Sequence, residues 1–188
     1  MSDSLLDRVN KGILGLKPYE PGKPINETQK ELGIKNIIKL ASNENPLGIS
    51  PKAFKVISEK KDLNRYPDGN ATSFKEVVSQ IEKIKTTMIT VGNGSNDLIE
   101  FVSKCFLSEG DNAIYSQHGF AIYPLAIKST GAKAIKAKAR DWGHDLNLMK
   151  DLVDENTKVI FLATPNNPTG TVLESGDIEE FLEAIPSN

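Results

Sequence analysis

The chain has 188 residues, 38% of them apolar and 26% charged, with a formal net charge of −2. That balance suits a soluble globular chain with room for one sizeable domain, or a domain plus an arm, and excludes a disordered one. With no basic block or stripe, it offers nothing to nucleic acid or to an anionic membrane.

At the amino terminus, Met1 to Asn10 carries acids and no long apolar run, so a signal peptide is not expected. No stretch reaches the ~18 apolar residues of a membrane span, and the default location is the cytoplasm. Leu5, Leu6, Val9 and Ile13 predict a short amphipathic helix over 4–14. Pro18, Pro21 and Pro24 then rule out a regular helix or central strand and predict an extended arm. A short strand is expected at Ile37–Leu40, a turn-rich loop at Asn43–Gly48, and a helix over 51–60 opened by Pro51. Tyr66-Pro67-Asp68-Gly69 reads as a turn. Ser73 and Glu76 form a capping box for the next helix, where Phe74, Val77, Val78, Ile81 and Ile84 recur at helical spacing.

Strands are then expected at 88–91, 113–115, 134–137 and 159–163. Between and after them, helices are expected over 97–107, over 120–130 with Gly131 as the stop, over 146–153, and over 178–185. On the helix over 97–107, Leu98, Ile99, Val102, Cys105 and Phe106 are expected to face inward. Cys105 is the single cysteine; it cannot pair within the chain, has no zinc spacing around it, and reads as a buried structural thiol. Lys133, Lys136 and Lys138 read as the solvent edge of a strand, and His144 as a surface loop residue. Alternating strands and helices imply βαβ units and a doubly covered, mostly parallel sheet.

In such sheets ligands sit beyond the carboxyl ends of the strands. Gly92-Asn93-Gly94-Ser95-Asn96 joins a strand to a helix, and the first amides of a helix have no internal partners and favour an anion. A phosphate suits this place; a glycine-rich connection that merely turns the chain remains open. Asp97 stands where a Rossmann fingerprint needs glycine or alanine, and no Gly-Lys-Ser/Thr of a P-loop is present. The second loop, Pro165-Asn166-Asn167-Pro168-Thr169-Gly170, holds two asparagines on a stiff turn, where a fixed amide can donate to a ligand oxygen or simply close an Asx turn.

Together these loops resemble the fold-type I pyridoxal-phosphate (PLP) transferases, the aspartate-aminotransferase-like fold, and the Pro165–Gly170 run resembles their aminotransferase motif. Pro18–Pro24, Leu40–Gly48 and Arg65–Gly69 further resemble, in order and spacing, the histidinol-phosphate aminotransferases. The likeness runs from about Leu14 onward. It implies an N-terminal arm and the start of a small domain over 1–50, and the first part of a large PLP-binding domain over 51–188. By the same resemblance, Gly94, Ser95 and Asn96 would offer amides to the cofactor phosphate, Phe120 would stack on the pyridine ring, and Asn167 would bond its phenolic oxygen. Tyr66 would reach the phosphate of a partner subunit, implying a homodimer. Tyr19 and Asn45 match positions on the substrate side.

One departure is His118-Gly119, where many relatives carry Pro-Thr ahead of the stacking aromatic; the roles of both residues stay open, His118 being read as packing or support rather than as a base. The implied reaction moves the amino group of L-histidinol phosphate through PLP to 2-oxoglutarate, in histidine biosynthesis. It needs a Schiff-base lysine, which in this family follows the point matching Asn188, after an Asp-x-Ala-Tyr strand. No lysine of the chain has that context, so no catalytic residue is nominated, no metal is expected, and the 188 residues are expected to be an inactive amino-terminal fragment. The rivals are another aminotransferase or decarboxylase of the same fold, acting on an aromatic amino acid or a phosphorylated amino alcohol, and a non-catalytic remnant that binds phosphate or a partner.

Overall fold

The computed structural model describes residues 9–19, 22–40 and 42–186. The expectations placed on Leu5, Leu6, Glu20, Pro21, Ala41, Ser187 and Asn188 lie outside the described residues. The chain divides into two compact units, Met1–Tyr19 with Thr90–Asn188, and Glu20–Ile89.

In the second of these the helices are α1 (Ile25–Leu32), α2 (Pro51–Glu59) and α3 (Thr72–Glu82), followed by a 3-10 turn at Thr86–Met88. Pro51 opens α2 as expected, its fixed φ suiting a first helical position. Helix α1 is not among the elements the sequence predicts. Its apolar residues are only Ile25 and Leu32, at its two ends, and it is bounded by Pro24 and by Gly33 in the left-handed conformation (φ 66). The capping box at α3 does not form: the helix begins at Thr72, after Ala71 in the left-handed region, and no side chain of the cap residue bonds it. Asp68 replaces it, accepting from the Thr72 amide at 2.8 Å and the Asn70 amide at 2.9 Å. These bonds also move the turn from 66–69 to 68–71, closed by Ala71 N–H to Asp68 O at 3.0 Å. They hold the Asp68 carboxyl down at about 2, the Thr72 bonds contributing most. Ile37–Leu40 and the residues after Met88 are not strands. Ile89 is extended (φ −113, ψ 121), but an extended segment becomes a strand only with a neighbour to pair with.

The other unit holds the sheet. Strands β1 (Asn112–Ser116), β2 (Lys133–Ala137) and β3 (Thr157–Phe161) are all parallel, in the order β2-β1-β3. Helices α4 (Ser95–Phe106), α5 (Ile122–Ser129), α6 (Leu146–Asp151) and α7 (Ser175–Ala184) alternate with them. Side chains alternate across each strand. Ala113, Val159 and Phe161 pack with Leu107 and Ile127 of the α5 face. Ile114, Ile160 and Ala137 pack with Met149 of α6 and Phe181 of α7 on the opposite face. Ile114, Ile127 and Met149 are the largest fully buried side chains, each worth about 1.5–3 kcal/mol of burial. The doubly covered parallel sheet is therefore as the sequence implied.

Three details of this unit differ from the expectation. Residues 9–14 form turns rather than a helix: Asn10 Oδ1 accepts from Gly12 N at 2.9 Å, and Gly15 is left-handed (φ 90). A β-carbon on Gly12 would lie 2.1 Å from Lys128 O, so only glycine lets this turn lie against the end of α5. Cys105 is exposed, as are Val102 and Phe106, while α4 buries Ser103 instead. The helix packs mainly on α5, and that contact selects a face set off from the widest part of its apolar stripe. His144 is buried, for reasons that follow from the loop before it. Gly131, by contrast, ends α5 as expected, with φ 88.

Candidate functional site

The loops that leave the carboxyl ends of β1, β2 and β3 converge through a continuous set of hydrogen bonds. Gln117 N–H donates to Ala137 O at 2.8 Å and Gln117 Oε1 accepts from Ala139 N at 3.2 Å, joining the first loop to the second. Asn166 Nδ2 donates to His118 O at 3.0 Å, joining the first to the third. His144 closes the ring: its Nε2 lies 3.0 Å from Ala163 O. The same Nε2 stands 3.3 Å from the Ala163 amide, so its role as donor or acceptor follows the tautomer, and Nδ1 is buried without a partner among the described residues. Burial holds the His144 imidazole below its ordinary value, opposed by the Ala163 bond. Trp-Gly-His has the look of a surface loop, and the structure corrects that expectation. The loop is a tight reversal, Arg140 and Gly143 exchanging both backbone bonds across Asp141 and Trp142, which are both left-handed. The reversal turns His144 back into the sheet.

Around these loops lies an aromatic cluster. Tyr123 stacks on Phe161 with centroids 4.6 Å apart, and Phe120 meets Tyr123 edge-on at 6.0 Å and 89°. Burial pushes the Tyr123 hydroxyl up. His118 packs its ring on Trp142 at 4.7 Å, the supporting role open to it in the sequence. A β-carbon on Gly119 would stand 3.1 Å from Ser116 O and 3.4 Å from the Tyr123 ring, so the His-Gly pair comes with close packing of Tyr123. Phe120 and Asn167 are both half-buried, on loops that Asn166 binds together.

Gly94, Ser95 and Asn96 stand at the start of α4. Gly94 is its cap residue, at φ 76 and ψ −178, a conformation open in practice to glycine alone. Its own amide donates to Gly92 O at 2.9 Å. Asp97 Oδ2 takes the Asn93 amide at 2.8 Å. The amides of Ser95 and Asn96 are among the initial helix donors that the helix itself cannot satisfy. The space above Gly94 is open, with nothing within 4 Å of where a β-carbon would stand. This donor set, at the positive end of a helix dipole, fits a phosphate group; Phe120 and Asn167, both half-buried, are an aromatic ring and an amide that could hold a flat ring. Tyr19 is about half exposed. Tyr66 and Asn45 belong to the Glu20–Ile89 unit. Tyr66 is fully exposed. Asn45 closes its own turn, with Nδ2 to Gly48 O at 3.1 Å and Leu47 N–H to Oδ1 at 3.0 Å.

The aminotransferase class I and II family profile matches residues 35–188. The chain belongs to this family. Among the relatives of this aminotransferase chain is histidinol-phosphate aminotransferase 2 of Pseudomonas fluorescens (strain Pf0-1), 45% identical over all of this chain and 52% of that protein. Histidinol-phosphate aminotransferase 1 of Mannheimia succiniciproducens is 48% identical over 97% of this chain and 50% of that protein. The chain spans about half the length of the curated relatives it matches. The crystal structure of histidinol-phosphate aminotransferase from Sinorhizobium meliloti in complex with pyridoxal-5′-phosphate shares the fold, with a TM-score of 0.83 over 95% of this chain and 48% of that one at 21% identity. The fold is thus that of an aminotransferase, and among the described residues no helix is long and apolar enough to cross a membrane.

Proposed function

We propose that the chain is part of a PLP-dependent histidinol-phosphate aminotransferase, which passes the amino group of L-histidinol phosphate to 2-oxoglutarate in histidine biosynthesis. The observation that carries this reading is the convergence of the 117–121 and 163–171 loops. The Asn166–His118 bond joins the loop that carries Phe120 to the loop that carries Asn167, at the carboxyl ends of parallel strands, in a chain whose relatives carry that name. When bound, PLP supplies a pyridine ring that draws off the electron pair released at the α-carbon of the amino donor. The residues of this chain bind and orient it. The amides of Ser95 and Asn96 would hold the phosphate, a place the resemblance also gives to Gly94, whose own amide is turned to Gly92 O here; Phe120 would cover one face of the ring, and Asn167 would donate to the phenolic oxygen. Residues 51–188 would be the first part of the large cofactor-binding domain, and 1–50 the arm and the start of the small one. Tyr66 would complete the phosphate site of a partner subunit, and Tyr19 and Asn45 would line the substrate side, in a cytoplasmic homodimer.

None of the chain's lysines stands in the setting of the Schiff-base residue, so the 188 residues are expected to bind PLP without turnover. The test is glutamate formation from L-histidinol phosphate and 2-oxoglutarate by the purified chain with added PLP, beside equilibrium dialysis of PLP. Binding without turnover is the expected result; turnover by this chain would refute the assignment of roles. The coding frame after Asn188 supplies a second check: an Asp-x-Ala-Tyr segment followed by Ser-Lys supports the reading, and an immediate stop codon contradicts it. Faster turnover of phenylalanine than of histidinol phosphate by the protein so encoded would favour an aromatic aminotransferase.

A further inference from the structure

Asn166 is 3% exposed, and its side chain lies where the loops after β1 and β3 meet. Its Nδ2 donates to His118 O at 3.0 Å and to Thr169 Oγ1 at 2.7 Å. The backbone on either side is fixed too: Asn166 N–H donates to Thr171 O at 2.8 Å, and its carbonyl accepts from Gly170 N at 2.7 Å. The orientation of the amide follows from chemistry, because His118 O can only accept, and turning the amide over would set Oδ1 against it. Oδ1 is buried with no partner among the described residues. A buried asparagine with one satisfied end is a poor choice for stability alone. What the position uses is the pair of donors, and both point at protein.

Phe120 lies two residues after His118, and Asn167 lies one residue after Asn166. We propose that Asn166 is a positioning residue: its amide sets the spacing between the aromatic face of Phe120 and the amide of Asn167, so that both meet one flat ring. This rests on the cofactor reading above. The side-chain amide bonds His118 and Thr169, on the two ring-facing loops and not on α4, so its influence falls on the ring and not on the phosphate anchor. The chain also carries its own reporter. Trp142 is the one tryptophan, and it packs on His118, the residue whose carbonyl Asn166 holds.

The test titrates the 188-residue chain with pyridoxal 5′-phosphate and, separately, with inorganic phosphate, by equilibrium dialysis, following Trp142 emission and far-UV circular dichroism without ligand. Asn166→Ala is expected to weaken pyridoxal phosphate on the order of tenfold while inorganic phosphate stays within about twofold, the loss of buried donors acting on ring placement alone. Trp142 emission should shift with the far-UV spectrum unchanged. Parallel loss of both ligands would mean a merely structural role and overturns the inference, as does undiminished pyridoxal phosphate binding. Where Asn166→Ala fails to fold, Thr169→Val removes one acceptor and leaves the His118 bond. It should weaken pyridoxal phosphate selectively and by less, and again a parallel loss or no loss overturns the inference. A wild-type chain that retains no pyridoxal phosphate overturns the cofactor reading and this inference with it. A wild-type chain that binds it, matched by its variants, overturns this inference alone.

Discussion

The two compact units have helices of similar length and very different interiors. The sheet unit has Ala113, Ile114, Ile127 and Met149 at or near zero exposure. In the Glu20–Ile89 unit no described residue is buried. Its helices are as amphipathic as those of the other unit, yet Phe54, Val56 and Ile57 of α2 and Phe74, Val77 and Ile81 of α3 all stand more than half exposed. The difference teaches that helical periodicity specifies a face, while stability comes only when something covers it. What secures α2 and α3 is local: Pro51 at a first helical position, Asp68 on the Thr72 amide, and the exposed Lys55–Glu59 pair, the last worth at most ~1 kcal/mol.

Amide hydrogen exchange would break this comparison most directly. Amides of β1 such as Ile114 and Tyr115 should exchange at least about a thousandfold more slowly than those of Val56 or Val77, because exposed helices open at little cost while core strands need global unfolding. Equal protection in α2 and β1 would show that the exposed helices are covered in solution. Next in size is a pair of truncations. Ile114→Ala removes a fully buried side chain and should cost about 2–5 kcal/mol in a denaturant melt. Ile57→Ala, at a residue 63% exposed, should change stability by no more than about 0.5 kcal/mol. A large loss at Ile57 would show that α2 has a partner.

The same contrast explains what can be read from the residues. β1, β2, β3 and α5 are legible because each apolar run finds its neighbour inside the chain, and Gly131 stops α5 where a left-handed residue is needed. Ile37–Leu40 and the run after Met88 have strand-like residues but pair with no neighbour among the described residues, and pairing is not written in a single segment. α1 escapes a periodicity search because its signals are its ends, Pro24 and Gly33, and not a stripe. On α4 the stripe is wide enough to allow either of two faces, and its packing on α5 leaves Cys105 outside. At the candidate site the glycine loop and the asparagine loop are legible as motifs. The bonds that join the loops are not, because Asn166 to His118 and His144 to Ala163 are contacts between segments distant in sequence. The burial of His144 depends on the reversal at Asp141 and Trp142, whose left-handed conformation neither residue type announces.

Acid separates the two units most gently, through one group in each. His144 is 8% exposed, and burial lowers its affinity for a proton from the ordinary 6.5. The unfolded chain therefore takes up that proton first. The contribution of His144 to stability is complete above pH 6.5 and is lost as the pH falls through the window below it. Asp68 acts in a lower window. Its carboxyl is held at about 2 by the Thr72 and Asn70 bonds, against an unfolded value of 3.8, so its support of α3 is complete above pH 3.8 and is lost as the pH falls towards 2. Trp142 lies two residues from His144 and reports on the first loss; far-UV helicity reports on the second. His144→Gln should remove the part of the acid response of Trp142 that lies below pH 6.5 and above the carboxylate range, and Asp68→Asn should lower helicity at neutral pH and flatten its fall below pH 3.8. A His144→Gln chain with the full acid response of the wild type would mean that another group titrates there. Fluorescence that changes only below pH 3.8 would place the sheet loops under the control of carboxylates instead of the buried imidazole.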